Sequence, residues 1–143
     1  MDTAIIAKVD TVINAPAKRV WKALTDPAEV KQYLFGTDMT VSEWKVGGTI
    51  LYKGIWKDKE YTDKGKILKY EPEKRLVSTY WSGLSGKADI PENYQIVSYI
   101  LSPAEGGTKL TITQENIDTE ESKKHSEENW GMVLKGIKKL IEG

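Results

Sequence analysis

The chain has no cysteine, a single histidine and a single phenylalanine. Without thiols there is no disulfide, no thiolate metal site and no cysteine nucleophile. A zinc site needs several converging ligands, and one histidine without cysteine does not supply them. His125 also lies in the run SKKHSEEN, whose charges read as a solvated face, so a Ser-His-acid arrangement lacks a plausible base. Excess charge is missing too: 21 basic and 21 acidic residues cancel. No global field draws nucleic acid or acidic membranes, and the lysines at 57–59 and 64–69 are interleaved with acids, against a nucleic-acid groove. No apolar stretch approaches the roughly 20 residues that cross a bilayer. MDTAIIAKVDTVI has no basic leader, so the expected location is cytoplasmic. Neither a glycine-rich phosphate loop nor a cofactor motif is present: Gly47-Gly48 and Gly106-Gly107 read as turns. No cofactor and no metal are expected.

Aromatics with a polar handle are plentiful, with five Trp and seven Tyr. Such side chains suit surfaces that are part apolar and part wet, although ordinary sheets also use them as core. At 143 residues the chain is expected to be one domain, 1–143, with a continuous core. No internal repeat or low-complexity linker divides it.

Periodicity sets the order of elements. Residues 4–13, AIIAKVDTVI, are rich in β-branched side chains and read as a strand. VWKALTDPAEVKQYL, residues 20–34, is helical on both sides of Asp26-Pro27. Proline inside a helix costs about 3 kcal/mol, whereas Asp, Pro and then Glu29 spell a helix start. Two short helices meeting at a corner are therefore expected. Strands follow at 38–45, 49–57, 61–71, 75–81, 94–102 and 108–117, with turn chemistry between them. Short connections between consecutive strands imply an antiparallel meander. The segment 82–93, SGLSGKADIPEN, is the long irregular loop within it. Asp118 to Glu121 is a second capping signature, opening a helix to about residue 142. Its stripe comprises Trp130, Val133, Leu134, Ile137, Leu140 and Ile141. A sheet of about seven strands twists and curls, the last helix can lie across its concave side, and the bent pair can close one rim.

APAKRVWKALTDPAEV, VGGTILYKG, KGKILKYEPEKRLVSTY, VSYILSPAEGGTKLTIT and NWGMVLKGIKKLI keep the order and spacing of a known family. Across essentially its whole length the chain resembles the Hsp90 ATPase activator homologue 1-like family, of the START/Bet v 1-like (SRPBCC) superfamily. The resemblance implies an α+β helix-grip fold, in which a curved antiparallel sheet, two short helices and a long C-terminal helix enclose a cavity. The co-chaperone of the family carries a further large Hsp90-contacting domain that this chain lacks.

By that analogy four strand faces look at the long helix: Ile50, Tyr52 and Trp56; Leu76, Ser78 and Tyr80; Val97, Tyr99 and Leu101; Leu110, Ile112, Gln114 and Asn116. Polar side chains directed inward must find partners, and an apolar trough with a few hydroxyl and amide groups is the usual make-up of a small-molecule site. The expected ligand-binding residues are Tyr52, Trp56, Tyr80, Tyr99, Gln114 and Trp130. Asp63, Glu71 and Glu115 could act as an acid or base in principle, but charged strand residues usually face solvent. The leading expectation is a binding module for a small hydrophobic or amphipathic molecule. The alternatives are a co-chaperone-like or stress-related domain docking a chaperone of the Hsp90 type, and an enzyme using a cavity tyrosine or carboxylate. Ligand identity, oligomeric state and the role of the 82–93 loop are not encoded legibly.

Overall fold

The computed structural model describes residues 5–143, with every side chain in that range except that of Trp56. β1 (Ile6–Ile13) leads into α1 (Ala17–Thr25) and α2 (Pro27–Tyr33). Six strands follow: β2 (Asp38–Val41), β3 (Thr49–Trp56), β4 (Lys59–Glu71), β5 (Arg75–Ser82), β6 (Gln95–Ala104) and β7 (Gly107–Glu115). α3 (Glu120–Glu142) closes the chain, and one 3-10 turn, Pro91–Asn93, ends the long loop. All strands pair antiparallel in the order β1-β7-β6-β5-β4-β3-β2. β2 to β7 are thus a meander, and β1 returns to its free edge from Ile6↔Glu115 to Ile13↔Thr108. The architecture is the α+β helix-grip fold.

The corner forms as its residues dictate. Asp26 caps α2, accepting from the Ala28 amide at 3.0 Å, with Pro27 in the first turn. The Tyr33 hydroxyl donates to the Ala23 carbonyl at 2.8 Å, tying the end of α2 back to α1. Arg19 reaches the buried Glu29 carboxylate at 2.7 Å across the same corner.

The concave face carries the core. Ile50, Ile67, Leu76, Val97, Leu110 and Ile112 are buried there, alternating with outward residues along each strand. β4, the longest strand, bends at a register shift between Ile67 and Lys69, the usual work of a bulge. Close by, at Gly65, a Cβ would lie 1.7 Å from the Thr79 carbonyl oxygen, so only glycine lets the two backbones pass.

α3 is capped by Thr119, whose hydroxyl accepts from the Ser122 amide at 3.1 Å. Val133, Leu134 and Ile137 are its buried stripe, flanked by partly buried Trp130, Leu140 and Ile141. The helix packs on β1 and on both short helices. Gly136 allows that approach, since a Cβ there would meet the Tyr33 Cβ at 2.9 Å. Polar straps fix it lengthwise: Lys138 Nζ donates to the Val12 carbonyl at 2.7 Å, and the Asn14 amide donates to Glu142 at 2.7 Å.

Some expectations shift. The strand expected over 38–45 stops at Val41, because the chain then folds back so tightly that a Cβ on Gly48 would lie 2.0 Å from the Glu43 carbonyl. The strand expected from residue 4 is seen from Ile6, residue 4 being outside the described range. Asn116 does not join the concave face. It follows the end of β7 with φ 69°, is exposed, and donates to the Glu92 and Tyr94 carbonyls at 3.1 and 3.0 Å. Left-handed backbone at an Asn ends the strand there, and its side chain fastens the long loop instead of entering the trough.

Candidate functional site

Between the concave face and the N-terminal half of α3 lies a pocket of about 720 Å³. Strand register builds its floor. Tyr52 stands opposite Asp63, which stands opposite Ser82. One step along, Ser78 faces Val97, which faces Gln114. α3 contributes Asn129, Trp130 and Val133, and residues 34–37, following the helix corner, contribute one side. The corner thus has a second consequence: it sets where the chain leaves α2 to border the pocket.

Five of the six residues expected at a ligand site, Tyr52, Tyr80, Tyr99, Gln114 and Trp130, lie in this one wall. The sixth, Trp56, has its side chain outside the described residues; its backbone pairs with Lys59 at the far end of β3. Gln114 is fully engaged: Trp130 Nε1 donates to its Oε1 at 2.7 Å, and its Nε2 donates to Gln95 Oε1. Trp130 meets Tyr99 edge to face, with ring centroids 6.0 Å apart. Tyr52 and Tyr80 form a second edge-on pair at 6.2 Å. Tyr61 lies over Gly54 and shares a 2.6 Å hydrogen bond with Thr37, closing the side next to the corner.

Asp63 was expected among solvent-facing strand charges and is instead 8 % exposed, on the pocket side of β4. Its Oδ2 accepts from the Tyr80 hydroxyl at 2.5 Å, while its Oδ1 is buried without a hydrogen-bond partner among the described residues. The signal for this was available: Asp63 shares strand parity with Tyr61, Gly65 and Ile67, and Ile67 has to be inside. Along β4, strand alternation outweighs the general preference of a charge for solvent. Glu71 is exposed and His125 sits on the exposed side of α3, away from the pocket. Among the described residues no three His, Asp or Glu side chains gather as metal ligands.

The phenols record how dry this end is. Burial, helped by the Asp63 charge, pushes Tyr52 up to about 12. Tyr80 is raised further by burial, then by the Asp63 charge and the hydrogen bond it donates there. Tyr99 is held well above its ordinary value by burial, with Tyr52, Tyr33 and Tyr80 adding to it. These hydroxyls stay protonated at neutral pH, and that of Tyr80 donates to Asp63.

Apolar side chains collect at the mouth. Phe35, Ile55, Leu84 and Met132 are 67 %, 70 %, 44 % and 52 % exposed, and all four border the pocket. Phe35 also holds φ 55°, a left-handed conformation that is uncommon outside glycine and the short polar residues. Leu84 belongs to the 82–93 loop, which is fastened rather than loose. Lys64 pairs with Asp89, Tyr94 donates to Asp89 at 2.5 Å, and Lys87 pairs with Asp118 just before α3.

Comparison with known proteins agrees with this architecture. Residues 14–142 match the model of the family described as activator of Hsp90 ATPase homolog 1-like protein. A Cytophaga hutchinsonii protein solved in solution, ChR145, is 45 % identical over 99 % of this chain and 97 % of its own, with a TM-score of 0.86. CV1439 from Chromobacterium violaceum shares the fold at 24 % identity, covering 97 % of this chain and 98 % of its own, with a TM-score of 0.81. DynU16, a protein in the dynemicin biosynthetic locus, shares the fold at 18 % identity and a TM-score of 0.77, covering 96 % of this chain and 47 % of its own. No curated protein matches the sequence. Among the described residues no helix is long and apolar enough to cross a membrane. With the family model matched over nearly its entire length and the helix-grip fold in place, the chain belongs to the activator of Hsp90 ATPase homolog 1-like family, within the START/Bet v 1-like SRPBCC proteins.

Proposed function

We propose that this chain binds a small, largely apolar molecule in the pocket between the sheet and α3. The observation that carries the reading is the pocket itself: about 720 Å³, walled by Tyr52, Tyr80, Tyr99 and Trp130, with apolar residues at its mouth. That volume lies within the range of small-molecule sites, and so does a wall of aromatics with a few placed polar groups. Family membership supports the same reading, and the aromatic wall makes polycyclic aromatic compounds, beside lipids, suitable trial ligands.

The test is native mass spectrometry with a parallel thermal-shift screen against fatty acids, fatty alcohols and amines, and polycyclic aromatics. The expected result is a one-to-one complex. At a hundred times its Kd a ligand adds about 2.7 kcal/mol, a rise in Tm on the order of 10 °C for a chain this size. Val97→Trp, which fills the pocket floor, should remove the complex while circular dichroism stays native. A screen in which nothing binds the wild-type chain would overturn the reading.

A further inference from the structure

The pocket lining is chemically lopsided. Among the described residues it contains one carboxylate, Asp63, and no lysine, arginine or histidine. A buried acceptor without a partner carries a desolvation cost of about 1–3 kcal/mol, and more when charged. Native structures retain such a group rarely, and each instance calls for an explanation. Here the orphan is one atom, Oδ1, while its twin Oδ2 is held by Tyr80 at 2.5 Å. Tyr80 therefore fixes the carboxyl group at the pocket wall, and the second oxygen is buried there with no partner among the described residues.

The surroundings narrow what that is. An acceptor needs a donor, which excludes ligands whose polar end only accepts. Tyr52 stands directly across from Asp63, and the Tyr52–Tyr80 pair puts two electron-rich rings beside it. Rings flanking a carboxylate form a setting that attracts a cation through both the charge and the ring faces. Away from this end the wall carries no charge: Val97, Val133 and Met132 at the mouth alternate with the neutral Ser78, Gln114 and Asn129.

We propose that the ligand of this pocket is an amphipathic organic amine, whose protonated nitrogen pairs with the Asp63 carboxylate beside Tyr52 and Tyr80 while its apolar body extends towards Val133 and Met132. This inference rests on the pocket being a binding site. It adds the class of head group: ammonium over hydroxyl, and hydroxyl over carboxylate. Charge-assisted hydrogen bonds are roughly twice as strong as neutral ones, so the preference is large enough to measure.

Calorimetric titration of the full chain with octylamine, octanol and octanoate tests it, because the three share one body and differ in the head. The expected order is octylamine at least tenfold tighter than octanol, with octanoate weakest through repulsion by Asp63. In Asp63→Asn the amine-to-alcohol ratio should fall close to one. Equal or stronger binding of octanol in the wild type, a measurement that needs no variant, would overturn the amine assignment and leave the pocket reading standing. A ratio that survives Asp63→Asn would overturn it as well. If none of the three binds while the wider screen finds another ligand, the amine assignment falls and the pocket reading stands; if the wider screen is empty too, both fall.

Discussion

Gly65 shows how one position sets the shape of the trough. The β4 and β5 backbones pass so closely there that an added Cβ would lie 1.7 Å from the Thr79 carbonyl oxygen, and backbone cannot step aside as a side chain tip can. Gly65→Ala is therefore expected to cost about 1–3 kcal/mol, the range for forced overpacking, read as a lower midpoint in urea unfolding with an unchanged slope. A variant as stable as the wild type would show that the strands can separate cheaply. Two positions earlier on the same face stands Asp63. Its inward direction was legible from alternation with Ile67, but its partnership with Tyr80 was not, since the two are 17 residues apart and meet only through the β4–β5 register. Gln114 is the reverse case. Strand parity groups it with Leu110 and Ile112 and the family resemblance turns that face inward, while its role as the acceptor for Trp130 depends on how high α3 rides above β7.

Among elements, the helix corner was the most legible. Asp26-Pro27 forces a helix start by local chemistry alone, and no tertiary contact is needed to explain the break. What holds the two pieces at their angle is tertiary: the buried Tyr33 hydroxyl on the Ala23 carbonyl and the Arg19–Glu29 pair. Tyr33→Phe leaves that buried carbonyl without its bond and is expected to cost about 1 kcal/mol, seen as a Tm lower by several degrees in a thermal melt. No loss would mean the corner is set by packing alone. Strand ends were less legible, because β2 stops where a backfolding turn begins and Asn116 leaves β7 in a left-handed conformation. The 82–93 loop carries no periodic pattern at all. Its ties through Lys64–Asp89 and Lys87–Asp118 join residues 25 or more positions apart, which no local rule finds.

For the whole molecule, the shared property is a core rich in protonated phenols. In an unfolded chain tyrosines ionise near pH 10, whereas Tyr52 keeps its proton to about 12 and burial raises Tyr33, Tyr80 and Tyr99 as well. Above pH 10 the folded state thus binds more protons than the unfolded one, and stability falls as pH rises through this window. Below about pH 10 this contribution is fully present. Alkaline titration should show the phenolates of these four tyrosines appearing together with the loss of near-ultraviolet circular dichroism. A gradual, independent ionisation with the fold intact would contradict it. The site follows the same logic of scale, because Tyr52, Tyr80 and Tyr99 come from three different strands and border one pocket only when the sheet curls.

Periodicity, turn chemistry and capping residues determined the element order, the antiparallel meander, the bent helix pair and the amphipathic last helix, because each depends on neighbours within a few positions. Family resemblance along the sequence pointed to the same fold and to six candidate residues, of which Tyr52, Tyr80, Tyr99, Gln114 and Trp130 border the pocket and Trp56 has its side chain outside the described residues. The tertiary structure alone decided that β1 returns to pair with β7, that α3 leaves open space above the middle strands, and that Asp63 borders that space with one buried oxygen unpartnered among the described residues. Those features arise from long-range register and from the volume left between layers, and neither quantity is carried by any short stretch of chain.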